Sequence, residues 1–220
     1  MKPKFRFALT LLFILSISSN IYSQFTSIGI KSGFNLSKLD YKSDLKGYDF
    51  SYKTGINAGL LIEYKLSNSL FLHSELIYSM RGTEYGAEGK TISGYLVPNH
   101  KFVQRHNYLE IPFFIQYNFP MSYFIKPKVF IGAEYSFLLE AKIGLIEEGI
   151  HKWEADEKVY YKRSEYGIIL GAGVEYELES DKIVFDIRYN LGLKDINIYE
   201  QGSEIKSNTI SFNMSFLFSL

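Results

Sequence analysis

This 220-residue sequence predicts an all-β fold: an eight-stranded antiparallel transmembrane β-barrel wound as an up-and-down meander and preceded by a signal peptide. Three observations carry the prediction. Apolar and polar residues alternate with period two in eight segments, the connections between those segments alternate between short and long, and the chain opens on an export signal. Successive side chains of a strand point to opposite faces, so the alternation gives each strand one apolar and one polar face. After the N-terminus no stretch reaches about eighteen consecutive apolar residues, which excludes a transmembrane helix.

The export signal comes first in the chain. Lys2, Lys4 and Arg6 precede an apolar run over 7–17, which is too short to span a bilayer, and the polar mature chain begins after Ser23. Residues 1–23 are therefore expected to be a signal peptide and 24–220 a single barrel domain. Removing those three basic residues from 24 leaves 21 against 24 acidic ones, a formal charge of −3. That balance points away from nucleic acid as a partner. The chain has no cysteine, which excludes disulfides, thiolate chemistry and a lipid-modified N-terminal cysteine.

The strands follow in order over 28–36, 55–66, 70–81, 108–119, 128–139, 165–178, 183–193 and 209–220. In the second, Ile56, Ala58, Leu60, Ile62, Tyr64 and Leu66 form the apolar row opposite Gly55, Asn57, Gly59, Leu61, Glu63 and Lys65. The fourth and sixth repeat the pattern, with Ile111, Phe113 and Ile115 opposite Glu110 and Gln116, and with Ile168, Leu170 and Val174 opposite Gly171, Gly173 and Glu175. Each row is about as long as a tilted membrane-crossing strand. The connections at 67–69, 120–125 and 179–181 are short, whereas 37–53, 82–107, 141–164 and 194–208 are long and polar. Short turns at one end and long loops at the other are the layout of an outer-membrane barrel with both termini in the periplasm.

A soluble barrel of the lipocalin kind would turn the apolar row inward and cover its outer row with lysine and glutamate. Here the polar row is rich in glycine with scattered carboxylates, and the apolar row is aromatic at strand ends, which favours the membrane. The last strand alternates Ile210, Phe212, Met214, Phe216, Phe218 and Leu220 with mostly polar residues to the carboxyl end. It resembles the terminal strand that barrel-assembly machinery recognises. As the edge of a soluble sheet it would invite aggregation.

The segment Gly29-Ile30-Lys31-Ser32-Gly33-Phe34-Asn35-Leu36-Ser37 and the segment Tyr108-Leu109-Glu110-Ile111-Pro112, taken with the signal peptide and the terminal strand, resemble the PorT-like outer-membrane β-barrel family of Bacteroidetes over essentially the whole mature chain. The resemblance implies a shared fold, not a reaction. Because some PorT-like proteins are linked to a secretion system, it also implies an envelope or secretion-system protein as a partner, besides outer-membrane lipid and the assembly machinery.

An eight-stranded barrel is filled by its own side chains. The inner row would gather a polar network of Lys31, Glu63, Glu75, Arg81, Glu110, Glu134, Glu175, Asp186 and Arg188, with Lys65 and Lys128 beside it. Buried charges must be paired or hydrogen-bonded, so this reads as internal ion pairing rather than an ion path. Phe71, Ile77, Phe130, Leu138 and Ile169 also fall inward, as in a plugged lumen.

Signals for catalysis, cofactors and metals are weak. Of His73, His100, His106 and His151, only His73 lies within an expected strand, two positions before Glu75, and no serine is fixed beside it. His151, Glu154, Asp156 and Glu157 have the residue types of a metal site, but an acidic solvated loop explains them better. Gly89-Lys90-Thr91 is similar to the end of a phosphate-binding loop, yet the glycine required five positions before Gly89 is Glu84. The expectation is a barrel with no catalytic residue, cofactor or metal, acting through loops such as the one carrying Glu147, Glu148, Lys152, Trp153, Tyr160 and Tyr161. A lipid A-modifying enzyme and a narrow pore are the alternatives.

Overall fold

The computed structural model describes residues 25–41, 48–90, 96–121, 124–147, 150–156, 158–198 and 204–220. The expected signal peptide and its cleavage point lie outside these residues. The strands are β1 (Phe25–Tyr41), β2 (Tyr48–Lys65), β3 (Leu70–Lys90), β4 (Leu96–Asn118), β5 (Ile125–Glu147), β6 (Ile150–Asp156), β7 (Ser164–Leu178), β8 (Asp181–Gly192) and β9 (Ile205–Ser219).

Eight of them close into an antiparallel barrel. Each pairs with the next, β5 pairs with β7, and β9 returns to β1 over the register Ser27↔Ser219 to Tyr41↔Ile205. Closure leaves no free sheet edge, the condition a sheet must meet within hydrocarbon. β6 stands outside the ring and pairs only with the far end of β5, from Lys142↔Asp156 to Glu147↔Ile150.

The alternation read from sequence sets the two faces. Ile56, Leu60, Phe113, Ile131, Leu170, Phe185 and Ile187 are exposed on the outer row, while Asn57, Leu61, Glu63, Phe114, Phe130 and Asp186 are buried on the inner one. Lys65, expected among the interior charges, is exposed instead, because it is the last residue of β2 and the turn to β3 follows at once. β7 and β8 join through Glu179 and Ser180, where Glu179 takes a left-handed φ of 43°. That turn, the 66–69 turn and both ends of the barrel, Phe25 and Ser219, lie at one end of the molecule.

At the other end, the segment 82–107 expected as a loop is largely paired strand, with β3 and β4 paired from Gly82↔Arg105 to Lys90↔Leu96 and a register shift between Ala87 and Gly89. The backbone ladder continues where the outer face meets water, so pairing outlasts the apolar row that revealed it. The change falls at Gly82. Its φ of +151° and the nearby Gln104 carbonyl leave no room for a Cβ, and Arg81, Gly82 and Thr83 are buried in succession.

Candidate functional site: the charged lumen and its cap

β3 and β8 stand opposite each other in the eight-membered ring, so an ion pair between them spans the lumen. Arg188 on β8 bonds both oxygens of Glu75 on β3, at 2.7 and 2.9 Å. Its Nε donates to Asp186 at 2.7 Å, and Lys31 Nζ reaches Glu75 at 3.1 Å. The Arg188 guanidinium also lies 4.9 Å from the Phe114 ring centroid and 5.0 Å from that of Phe130. Asn213 Nδ2 completes this middle layer by donating to Asp186 at 2.8 Å.

Toward the short-turn end, Glu63 takes Lys182 Nζ at 2.8 Å and His73 Nε2 at 2.7 Å, and Glu175 lies 3.5 Å from the same Lys182 Nζ. Asn118 Nδ2 donates to Glu175 at 3.2 Å. Lys128 is buried in this region too. His73 stacks on Phe114 with centroids 5.0 Å apart. Its hydrogen-bond partner is thus a carboxylate and its ring neighbour a phenylalanine, with no serine hydroxyl bonded to it among the described residues.

Above the middle layer, Asn35 bonds Ser79 at 2.9 Å and accepts from Asn57 and Ser211 at 2.8 and 2.9 Å. A cavity of about 10 Å3 lies between Asn57, Glu110, Glu134 and Arg188, room for about one water. Next comes Arg81, 2.6 Å from Glu110, paired with Glu134 and 4.0 Å from Glu165. Over this layer Leu39, Tyr108, Leu138, Ala141, Tyr161, Ile196 and Ile205 form an apolar cap. Tyr161 and Ile196 come from the 158–163 and 193–198 segments, which bond to each other through Lys162 N to Ile196 O at 2.7 Å and Ile198 N to Tyr160 O at 3.2 Å.

All nine residues expected in the polar network are buried on the inner face: Lys31, Glu63, Glu75, Arg81, Glu110, Glu134, Glu175, Asp186 and Arg188. They fall into three layers rather than one connected web. Two participants escape the sequence reading. Lys182 lies one residue before the strand as read, although counting back by twos from Asp186 reaches it. His106, expected in a loop, is fully buried beneath Tyr161, with ring centroids 4.3 Å apart. The side chains of His100, His151, Trp153, Glu154 and Glu157 lie outside the described residues. No group of three or more His, Cys, Asp or Glu is arranged for a metal among the described residues.

A closed barrel with an apolar outer belt and a packed, charge-bearing lumen defines an integral β-barrel membrane protein. The family model described as outer membrane protein beta-barrel domain matches residues 19–197, and the chain belongs to that family, which places it in the outer membrane. No curated protein matches it. Among solved structures it is similar to Neisserial surface protein A, with 16% identity over 86% of this chain and 95% of that one and a TM-score of 0.42. OprG from Pseudomonas aeruginosa shares 11% identity over 90% and 97% of the two chains, with a TM-score of 0.49. Ail, the attachment invasion locus protein of Yersinia pestis, shares 15% over 88% and 99%, with a TM-score of 0.42.

Proposed function

We propose that the protein is a non-enzymatic, PorT-like barrel of the outer membrane that acts through the hairpins at its long-loop end, with both termini in the periplasm. The observation that supports this most is the Arg188–Glu75 pair spanning the lumen beneath an apolar cap. A filled lumen leaves lipid for the belt and the hairpins for other molecules. Binding residues concentrate on loops held by a rigid scaffold. The partners would be the assembly machinery during insertion and an envelope or secretion-system protein afterwards.

The test is a deletion strain in which secreted proteins and lipid A are both profiled. Loss of secreted proteins with unchanged lipid A supports an interaction role. Altered lipid A with normal secretion overturns it in favour of a barrel enzyme.

A further inference from the structure

The layer around Arg81 holds more acid than base. Glu110, Glu134 and Glu165 share one guanidinium, a formal charge of −2 in a site shut off by the cap. Lys194 approaches from the rim, but its Nζ is bonded to Ser164 Oγ at 2.8 Å. Arg81 lies closer to Glu110 and Glu134 than to Glu165, which is 4.0 Å away. Glu165 is 2% exposed, and the buried Tyr108 hydroxyl donates to its carboxylate, which still leaves acceptor positions open.

Three unpartnered oxygens lie on the adjoining inner rows: Asn190 Oδ1 on β8, and Ser207 Oγ and Thr209 Oγ1 on β9. All three residues are at least nine-tenths buried. Asn190 and Thr209 are direct cross-strand partners, and Ser207 is the next inner residue of β9. Asn190 Nδ2 donates to Glu134, which as a carboxylate can only accept, so Oδ1 is the end left over. Gly192 follows Asn190 on the inner row of β8, and a Cβ there would come within 2.5 Å of Glu165 Oε1 and 2.6 Å of Ser207 O. The missing side chain is what lets Glu165 lean across β8 toward β9.

We propose that Glu165, Asn190, Ser207 and Thr209 form a site for a hard, oxygen-liganded cation, with calcium the ion that fits the charge. A proton would neutralise one carboxylate, and its single O–H could satisfy only one of the neutral oxygens. A water would satisfy oxygens and leave the charge. A divalent cation does both. Calcium accepts carboxylate, amide-carbonyl and water oxygens at roughly 2.3–2.6 Å, and extracellular sites with few charged ligands bind it at roughly 0.1–1 mM. Such an ion would tie β7 to β8 and β9 just under the cap.

The experiment uses the mature chain refolded from inclusion bodies into a non-ionic detergent, free of lipopolysaccharide and stripped with EDTA. Calcium, magnesium and sodium chlorides are titrated separately by calorimetry and by thermal unfolding. Calcium is expected to bind one site and raise the unfolding temperature, as binding to the folded state must. Glu165→Gln and Thr209→Val should each weaken that binding by about tenfold or more, whereas Glu140→Gln at the rim should not. If Glu165→Gln fails to fold, Thr209→Val, which removes only a hydroxyl at near-constant volume, decides. The proposal is overturned if none of the three ions binds, if sodium alone binds, or if calcium binds equally well to both lumen variants.

Discussion

Arg188 and Glu75 face each other across the full width of the barrel and meet through two parallel hydrogen bonds, 2.7 and 2.9 Å long. Both are buried, so the pair gains strength from low dielectric and is costly to break. Arg188→Met leaves Glu75 and Asp186 with Lys31 and Lys128 as the cations nearby and should destabilise the barrel by about 3–5 kcal/mol. Arg188→Lys should also be destabilising, because an ammonium cannot make the fork. Adding Glu75→Gln to Arg188→Met should recover part of the loss. Urea unfolding in detergent measures all four proteins, and a neutral Arg188→Met would show that the middle layer does not hold the walls together.

Leu170 and Gly171 are neighbours on β7 with opposite surroundings. Leu170 is half-exposed on the lipid-facing row between Ile131 and Tyr189. Leu170→Arg should cost roughly 2–4 kcal/mol at mid-membrane. A Cβ on Gly171 would collide with the Phe130 ring, itself held against Phe114 and Arg188. Gly171→Ala should therefore cost about 1–3 kcal/mol by overpacking. The readout is the heat needed to unfold each variant on gels, where folded and unfolded barrels migrate differently. An unaffected Leu170→Arg would mean that the two faces are exchanged.

These two residues also show how much of the molecule is legible in its sequence. Lipid imposes one rule on every outer residue of the belt, so Leu170 and its row stand out by period alone, and inside and outside follow from them. Pairing inside the lumen obeys no such rule. That Arg188 takes Glu75 and Arg81 takes Glu134 depends on which strands face each other after closure. The cap is harder still, since Tyr161 and Ile196 enter it from segments without periodicity, and their burial follows from the chain doubling back over the mouth.

Asp195 ties that mouth together. Its Oδ1 accepts from the backbone N–H groups of Asn197 and Ile205 at 3.0 and 2.9 Å, and its Oδ2 takes Lys162 Nζ at 3.2 Å. Partial burial pushes the carboxyl up, but the two backbone amides and the Lys162 ammonium outweigh it and hold the group below its ordinary value of 3.8. With the folded value below the unfolded one, the tie is fully present above the ordinary value and is lost as pH falls through the folded one. The amides of Asn197 and Ile205 should lose hydrogen-exchange protection on acidification below pH 3.8. Asp195→Ala should show the same loss at neutral pH. Protection unchanged by the substitution would remove Asp195 from the clasp.

The absence of cysteine makes the orientation directly testable, because any thiol introduced is the only one in the chain. Asp156 and Ser180 are exposed at opposite ends of the barrel, Asp156 at the end of β6 and Ser180 in the β7–β8 turn. Asp156→Cys should react with a membrane-impermeant maleimide on intact cells, and Ser180→Cys only after the outer membrane is opened. The reverse pattern would invert the topology. The role of the hairpin can then be separated from that of the lumen. Because β6 pairs only with the far end of β5 and lies outside the ring, deleting 148–157 should leave the barrel assembled, provided Tyr161 remains in the cap. If the protein acts through its loops, that deletion abolishes partner capture while the shift in gel mobility on heating persists. His73→Ala, which removes one partner of Glu63 deep in the lumen, should lower stability without touching partner capture. The opposite result, capture or activity that survives the deletion and disappears in His73→Ala, would move the function inside the barrel.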